Sequence, residues 1–181
     1  MKKDNDSLRR IRGMVFIGMV LTILGCGENS ETMQVHTGPS ELGKSLLLNI
    51  EPSNAMDVSE VLQLGSNANS VVVVGRIGGS RNPWVDGLAA FTLTDLSLTS
   101  CIEIDEDHCE TPWDFCCDPE LSKNILLVQM MSAQGDLINE GARQLLGVSE
   151  LDTVVVEGEI EQDASGNITL AAKTLYLKKA S

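Results

Sequence analysis

The sequence predicts an all-β domain with small α content, a five-stranded, partly open barrel with one helix between its third and fourth strands. Three observations carry this. Strand-like runs bounded by Gly- and Asn-bearing turns recur five times after residue 70. The apolar period switches to that of a helix only between Asp136 and Gly147. A four-residue turn signal, Ala164-Ser-Gly-Asn167, then joins the last two runs as a closing hairpin.

The elements follow in order. Asp57-Val-Ser-Glu-Val-Leu-Gln63 reads as a short leading helix, with Asp57 as its cap and Glu60 three residues on, the spacing of a capping box. Val71-Val-Val-Val-Gly-Arg-Ile-Gly78 is the first strand, and Gly75 inside it predicts a bulge or sharp bend. Leu88-Ala-Ala-Phe-Thr-Leu-Thr94 is the second, with Phe91 and Leu93 alternating with Thr92 and Thr94. Ile125-Leu-Leu-Val-Gln-Met-Met131 is the third. Ile138, Ala142, Leu145 and Leu146 share one helical face, with Asp136 placed to cap the start and Gly147 the end. Thr153-Val-Val-Val-Glu-Gly-Glu-Ile160 and Ile168-Thr-Leu-Ala-Ala-Lys-Thr-Leu-Tyr-Leu177 are the fourth and fifth strands. Three strands, a helix and a closing hairpin is the order of an OB-fold.

What precedes the domain predicts its address. Lys2, Lys3, Arg9, Arg10 and Arg12 form a basic start, and twelve mostly apolar residues follow, Gly13–Leu24. At about 1.5 Å per residue such a run spans roughly 18 Å, short of the ~30 Å hydrocarbon core, so it reads as a secretory signal rather than a membrane span. The junction Ile23-Leu24-Gly25-Cys26 resembles a bacterial lipobox, which implies lipidation of Cys26 and membrane attachment through the lipid. Gly27 rather than Asp after that cysteine implies the periplasmic face of the outer membrane. The predicted organisation is a signal peptide over 1–25, a flexible tether over 26–45 containing a lone His36, and a domain over 46–181 with an insert at 99–124.

Charge narrows the partners. The chain carries 13 basic and 26 acidic residues, and removal of 1–25 leaves eight and 24, a net charge of −16. Nucleic-acid affinity rests largely on Lys and Arg, and aromatics make up only 3% of the chain, so nucleic acid is excluded as the expected partner. A cationic small ligand or a basic protein patch is the electrostatically permitted class.

Val58-Ser-Glu-Val61, Val72-Val-Val-Gly-Arg-Ile77 and Asp152-Thr-Val-Val-Val-Glu-Gly-Glu-Ile-Glu-Gln-Asp163 resemble the exported bacterial OB-fold (BOF-like) proteins. The similarity covers roughly 56–98 and 124–179. It implies a small periplasmic binding domain, with small-ligand binding and no catalysis. The lipid anchor and the long insert depart from that pattern. Gly78-Gly-Ser80 and Thr111-Pro-Trp-Asp-Phe-Cys-Cys117 together resemble a set of bacterial lipoproteins with a TPWDxCC insert, a likeness that supplies no activity.

The chemistry-bearing residues lie in that insert. With Cys26 assigned to lipid, the five cysteines become four: Cys101, Cys109, Cys116 and Cys117. An even, clustered number in an exported protein reads as disulfides, with Cys116 and Cys117 each reaching out to Cys101 and Cys109 rather than to one another. The alternative is a soft-metal site, copper or zinc, on Cys101, His108, Cys109, Cys116 and Cys117. No Cys-x-x-Cys hairpin of the usual zinc pattern is present, and Cu(I) tolerates looser spacing. Otherwise no cofactor is expected. Thiol–disulfide exchange is a third reading, opposed by the surrounding acids Glu103, Asp105, Glu106, Asp107, Glu110, Asp114, Asp118 and Glu120, which disfavour a thiolate. Asp105-Glu-Asp107 invites calcium, but the loop lacks the spacing of a calcium-binding hand.

Gly75-Arg-Ile-Gly-Gly79 does not match a phosphate loop, and neither a Gly-x-Ser-x-Gly elbow nor a His-Glu-x-x-His pair occurs. Trp84 and Trp113 are the candidate ligand-lining residues, should both flank one mouth of the barrel. The expected function is an exported, lipid-anchored binding or structural module of the cell envelope, not an enzyme.

Overall fold

The computed structural model describes residues 38–65, 70–104 and 109–178. The signal segment, Cys26 and His36 lie outside the described residues, as do Asp105, Glu106, Asp107 and His108. Among the described residues no helix is long and apolar enough to cross a membrane.

The elements run α1 (Glu41–Leu46), β1 (Met56–Asp57), α2 (Val58–Leu64), β2 (Ser70–Ile77), β3 (Ala90–Thr94), β4 (Ile125–Met130), α3 (Ala142–Leu146), β5 (Thr153–Gln162) and β6 (Ile168–Leu177). Neighbouring strands follow the order β1-β2-β3-β4-β6-β5, and β5 pairs back onto β2. The last pairing closes the sheet, so the expected five-stranded OB-fold barrel is present and is closed rather than partly open. It has α3 between its third and fourth strands and the long insert between its second and third. Closure runs through a seven-residue antiparallel register, Ser70↔Glu159 to Arg76↔Thr153. β4 and β6 are parallel, Leu127↔Thr169 to Met130↔Ala172.

Alternation along the strands builds the core. In β2, Val71, Val73 and Ile77 point inward; in β4, Leu126, Val128 and Met130 do. They meet Phe91, Leu93, Val154, Val156, Leu170 and Leu175 inside the barrel, with Leu145 and Leu146 of α3 and Val58 and Val61 of α2 in the same cluster. α2 begins as its sequence predicts, with the Asp57 N–H donating to the Glu60 carboxylate at 3.1 Å.

Three expectations are corrected. The chain is ordered before residue 46: Ser40 caps α1 by accepting from the Gly43 N–H at 3.2 Å, and its own N–H bonds to the carbonyls of Gln144 and Leu145. The tether therefore does not extend to 45, because a glycine at position 43 lets α1 lie against the backbone of α3. Gly75 is not a bulge, since its register with β5 is continuous. A side chain there would meet the Thr94 carbonyl at 2.6 Å, so the glycine admits β3 at close range. The register shift falls instead at Glu157/Gly158. The helix expected from Asp136 is only its last turn, capped by Gly141 and ended by left-handed Gly147. Ile138 is buried, but its N–H bonds to the Met130 carbonyl at 3.1 Å, because 131–138 continues β4 as a tight hairpin turning at Gly135.

Candidate functional site

The insert is a folded platform attached to β2. It opens where the Asp95 N–H bonds to the Asn124 carbonyl at 3.0 Å, four residues before the expected start. The Asp95 carboxylate is buried and accepts from the Ser59 N–H, the Ser97 N–H and the Ser97 hydroxyl at 2.8, 2.9 and 2.6 Å. Burial alone would raise this carboxyl; the donors from Ser97 and Ser59 outweigh it and hold the group below the ordinary carboxylate range. One side chain thus ties the first turn of α2 to the neck of the insert.

Arg76, on the last turn of strand before Ile77, clamps the far side. Its Nη1 donates to both oxygens of Glu103 at 3.0 and 2.9 Å, its Nη2 donates to the Leu98 carbonyl, and its guanidinium lies 5.1 Å from the Phe115 ring centre. Glu103 also accepts from the Ser100 N–H and hydroxyl at 2.8 and 2.6 Å. Partial burial pushes Glu103 up, but the bonds from Arg76 and Ser100 dominate and hold it at about 2. Phe115 is wholly buried. It sits on Gly78, where a side-chain carbon would come within 2.7 Å of the Phe115 ring and 3.0 Å of the Trp113 carbonyl. Gly78 and the Thr111–Cys117 run, distant in sequence, are therefore one packing unit.

The sulfurs stand on this platform. The Cys101 N–H bonds to the Asp114 carbonyl at 2.8 Å and the Ile102 N–H to the Pro112 carbonyl at 2.9 Å, which brings the first cysteine alongside the last two. The Sγ atoms of Cys101 and Cys116 are 3.7 Å apart and those of Cys116 and Cys117 are 4.0 Å apart; the three lie within 4.8 Å of one another. Cys109 also interacts with Cys101, and its Sγ points to the Thr111 carbonyl at 3.4 Å. All four expected cysteines thus converge, whereas His108 is outside the described residues. No bridge joins these four sulfurs in the structure. A bridge between Cys101 and Cys116 requires their sulfurs to close from 3.7 Å to about 2.05 Å. Cys101 is buried, Cys116 and Cys117 exposed. Burial and then the neighbouring thiols push Cys101 up to about 12. At Cys116 the contact with Cys101 favours the thiolate, but Cys117, desolvation and the Asp114 carboxylate outweigh it, and the thiol is raised.

The two tryptophans occupy separate environments. The Trp84 indole N–H donates to Glu150 at 2.8 Å, its ring lies 6.0 Å from that of Phe91, and the Arg143 guanidinium sits 5.5 Å above it. With Asp86, Ala142, Arg143 and Gln144 it lines a cleft of about 250 Å³. Trp113 lines neither this cleft nor the shallower one of about 430 Å³ beside Lys123 and Asn167. Its indole N–H is spent on the Arg81 carbonyl at 3.2 Å. The expected shared mouth is thus not formed by both rings. Arg76 and Arg143 are the site residues that sequence reasoning missed. A cation in a β-branched run, with eight acids in the insert and few cations nearby in sequence, was the available signal for Arg76.

No family model matches the chain, and no curated protein does. Among solved structures, a mitochondrial single-stranded DNA-binding protein from S. cerevisiae, Rim1, is similar at 14% identity and a TM-score of 0.36, covering 63% of this chain and 98% of its own. The expectation that excludes nucleic acid is withdrawn, because it rests on composition and net charge alone. Net charge averages over all faces and does not describe any one of them.

Proposed function

We propose that the protein is an exported, lipid-anchored OB-fold module of the cell envelope that works by binding rather than by catalysis, with the cysteine-bearing insert as its distinguishing part. The observation that carries the binding reading is the clamped insert. Arg76, Asp95 and Phe115 fix its described part against the barrel, so that part presents a preorganised surface. The thiols support the same reading. Disulfide-exchange catalysts lower a thiol pKa with a cation or a helix N-terminus, whereas Cys101 and Cys116 are both raised.

Export and anchoring rest on the sequence: a basic start, a twelve-residue apolar run and Gly25-Cys26. Expression of the full chain in a bacterial host fed a labelled fatty acid tests them. The wild-type chain is expected to take up label and to sediment with membranes. Cys26→Ser is expected to lose the label. Equal labelling of the two forms, or none in either, refutes the anchor.

A further inference from the structure

We propose that Cys101, Cys116 and Cys117 form a binding site for a single soft metal ion, Cu(I), on the insert. The inference is independent of the lipid anchor and concerns only the platform.

Distances carry the argument. A metal–thiolate bond of about 2.3 Å puts sulfurs about 3.8 Å apart in a tetrahedral set and about 4.0 Å apart in a trigonal one. Two of the three separations, 3.7 Å for Cys101–Cys116 and 4.0 Å for Cys116–Cys117, match those edges, and the third, Cys101–Cys117, is within 4.8 Å. A single bridge would use two of three mutually close sulfurs and leave the third beside it, whereas one ion uses all three.

The chain holds these sulfurs in place by bonds that do not involve them. The backbone ladder Cys101–Asp114 and Ile102–Pro112 sets the approach of the two segments. Phe115, buried on Gly78, fixes the residue immediately before the Cys116-Cys117 pair. Asp118, immediately after the pair, accepts from the Thr99 N–H at 3.0 Å and so ties the two ends again. Such outer contacts are what preorganise ligands, and their loss commonly costs 10–100-fold in metal affinity.

The donor set selects the ion. Among the described residues the set is three sulfurs with no carboxylate, which suits a soft cation and not calcium or magnesium. Among the described residues the mutually close set has three sulfurs, with Cys109 standing beside it. A trigonal sulfur set satisfies Cu(I), while structural zinc requires a fourth donor, so the parallel zinc series decides between them. Two of the sulfurs are exposed, which leaves the ion a path in and out.

The test uses the full chain, exported, extracted in detergent and handled without oxygen. Cu(I) held by a chromophoric chelator is titrated in, and Zn(II) is offered in a parallel series. The expected result is one Cu(I) per chain removed from the chelator, with an ultraviolet thiolate-to-copper band. Cys116→Ser and Cys117→Ser should each weaken retention by at least about 100-fold, since each deletes a ligand outright. Both positions are exposed, so unchanged thermal unfolding of the metal-free variants separates ligand loss from misfolding. Three results overturn the proposal. One is an exported chain whose mass is lower by two or four hydrogens and which takes up no ion without reductant. Another is Cu(I) retention undiminished in the double serine variant. The third is a one-to-one zinc complex that excludes Cu(I).

Discussion

Replacing Arg76 with methionine removes the guanidinium but keeps an apolar stem of similar reach, so it isolates the clamp between barrel and insert. Arg76 is 16% exposed and its partner Glu103 45%. That exposure discounts the paired charges to about 1 kcal/mol. Stranding the Leu98 carbonyl adds about 1–1.5 kcal/mol, and loss of the cation over Phe115 about 0.5–1 kcal/mol. One term opposes these. Arg76 Nε is buried without a hydrogen-bond partner among the described residues, and removing it returns about 1 kcal/mol. The balance is a destabilisation of about 2 kcal/mol, or about 8 °C in Tm for a domain of this size. The local signature is sharper. The Cys101 and Ile102 amides, bonded to Asp114 and Pro112, should lose about 30-fold in hydrogen-exchange protection. Arg143→Met is the matched control, because Arg143 is 54% exposed and 3.4 Å from Glu150. It should shift Tm by less than about 6 °C, since the half-exposed pair contributes about 1 kcal/mol at most and the cation over Trp84 about 0.5 kcal/mol, and it should leave protection at Cys101 and Ile102 unchanged. An Arg76→Met protein with wild-type Tm and wild-type protection at Cys101 and Ile102 refutes the clamp.

Three further outcomes follow from the packing and the charges. Gly78→Ala should cost about 1–3 kcal/mol in urea unfolding, because the new carbon meets the immobile Phe115 ring at 2.7 Å; Gly38→Ala, with open space around it, should cost far less. Gly43→Ala places a carbon 1.5 Å from the Leu145 carbonyl, so α1 must lift away, and proteolysis should then cut near residues 40–46 where the wild type resists. Asp95 sets part of the acid limb. Its folded pKa is depressed, so its stabilisation is complete above the unfolded value of about 3.9 and is lost as pH falls through the folded one. Asp95→Asn should therefore be less stable than wild type at pH 6 and should approach it by pH 2–3, measured as urea midpoints. A constant gap across that range contradicts the assignment.

The barrel was legible because its signals are local. Alternation at Val71, Val73 and Ile77, the Asp57–Glu60 cap and the turn before Ile168 each depend on residues a few positions apart. What misled were residues whose role is set across the fold. Ile138 fits a helical face with Ala142, Leu145 and Leu146, yet its backbone bonds to Met130 and its side chain reaches the same core from a hairpin. Gly75 reads as a bend, but its reason is Leu93 and Thr94 on the neighbouring strand. In the site, the convergence of four cysteines could be expected from their clustering, but not which sulfur is central. That depends on Cys101 being drawn against Asp114, a pairing with no sequence period. Arg76 was passed over for the same reason, since its partners lie 22 to 39 residues further along the chain.

The position of Arg76 decides how the platform and the barrel share stability. It pairs with Thr94 of β3 and with Thr153 of β5, so it sits where the barrel closes on itself. Only Arg76 and Ile77 join β2 to β3, against seven positions joining β2 to β5. The short seam is reinforced by side chains, the Thr94 hydroxyl donating to the Arg76 carbonyl and the Thr92 hydroxyl to the Gly78 carbonyl. The insert's clamp is thus fastened to the least extensively paired seam of the barrel. Order in the insert and closure of that seam must therefore be energetically coupled, because Arg76, Gly78 and Thr94 serve both. Any ligand that rigidifies the sulfur platform should stabilise the whole domain rather than the loop alone, by an amount set by its affinity and concentration. A ligand-induced rise in exchange protection that stops at the neck, Asp95 and Asn124, without reaching Ile77 or Leu93 would show instead that the insert is energetically separate from the barrel.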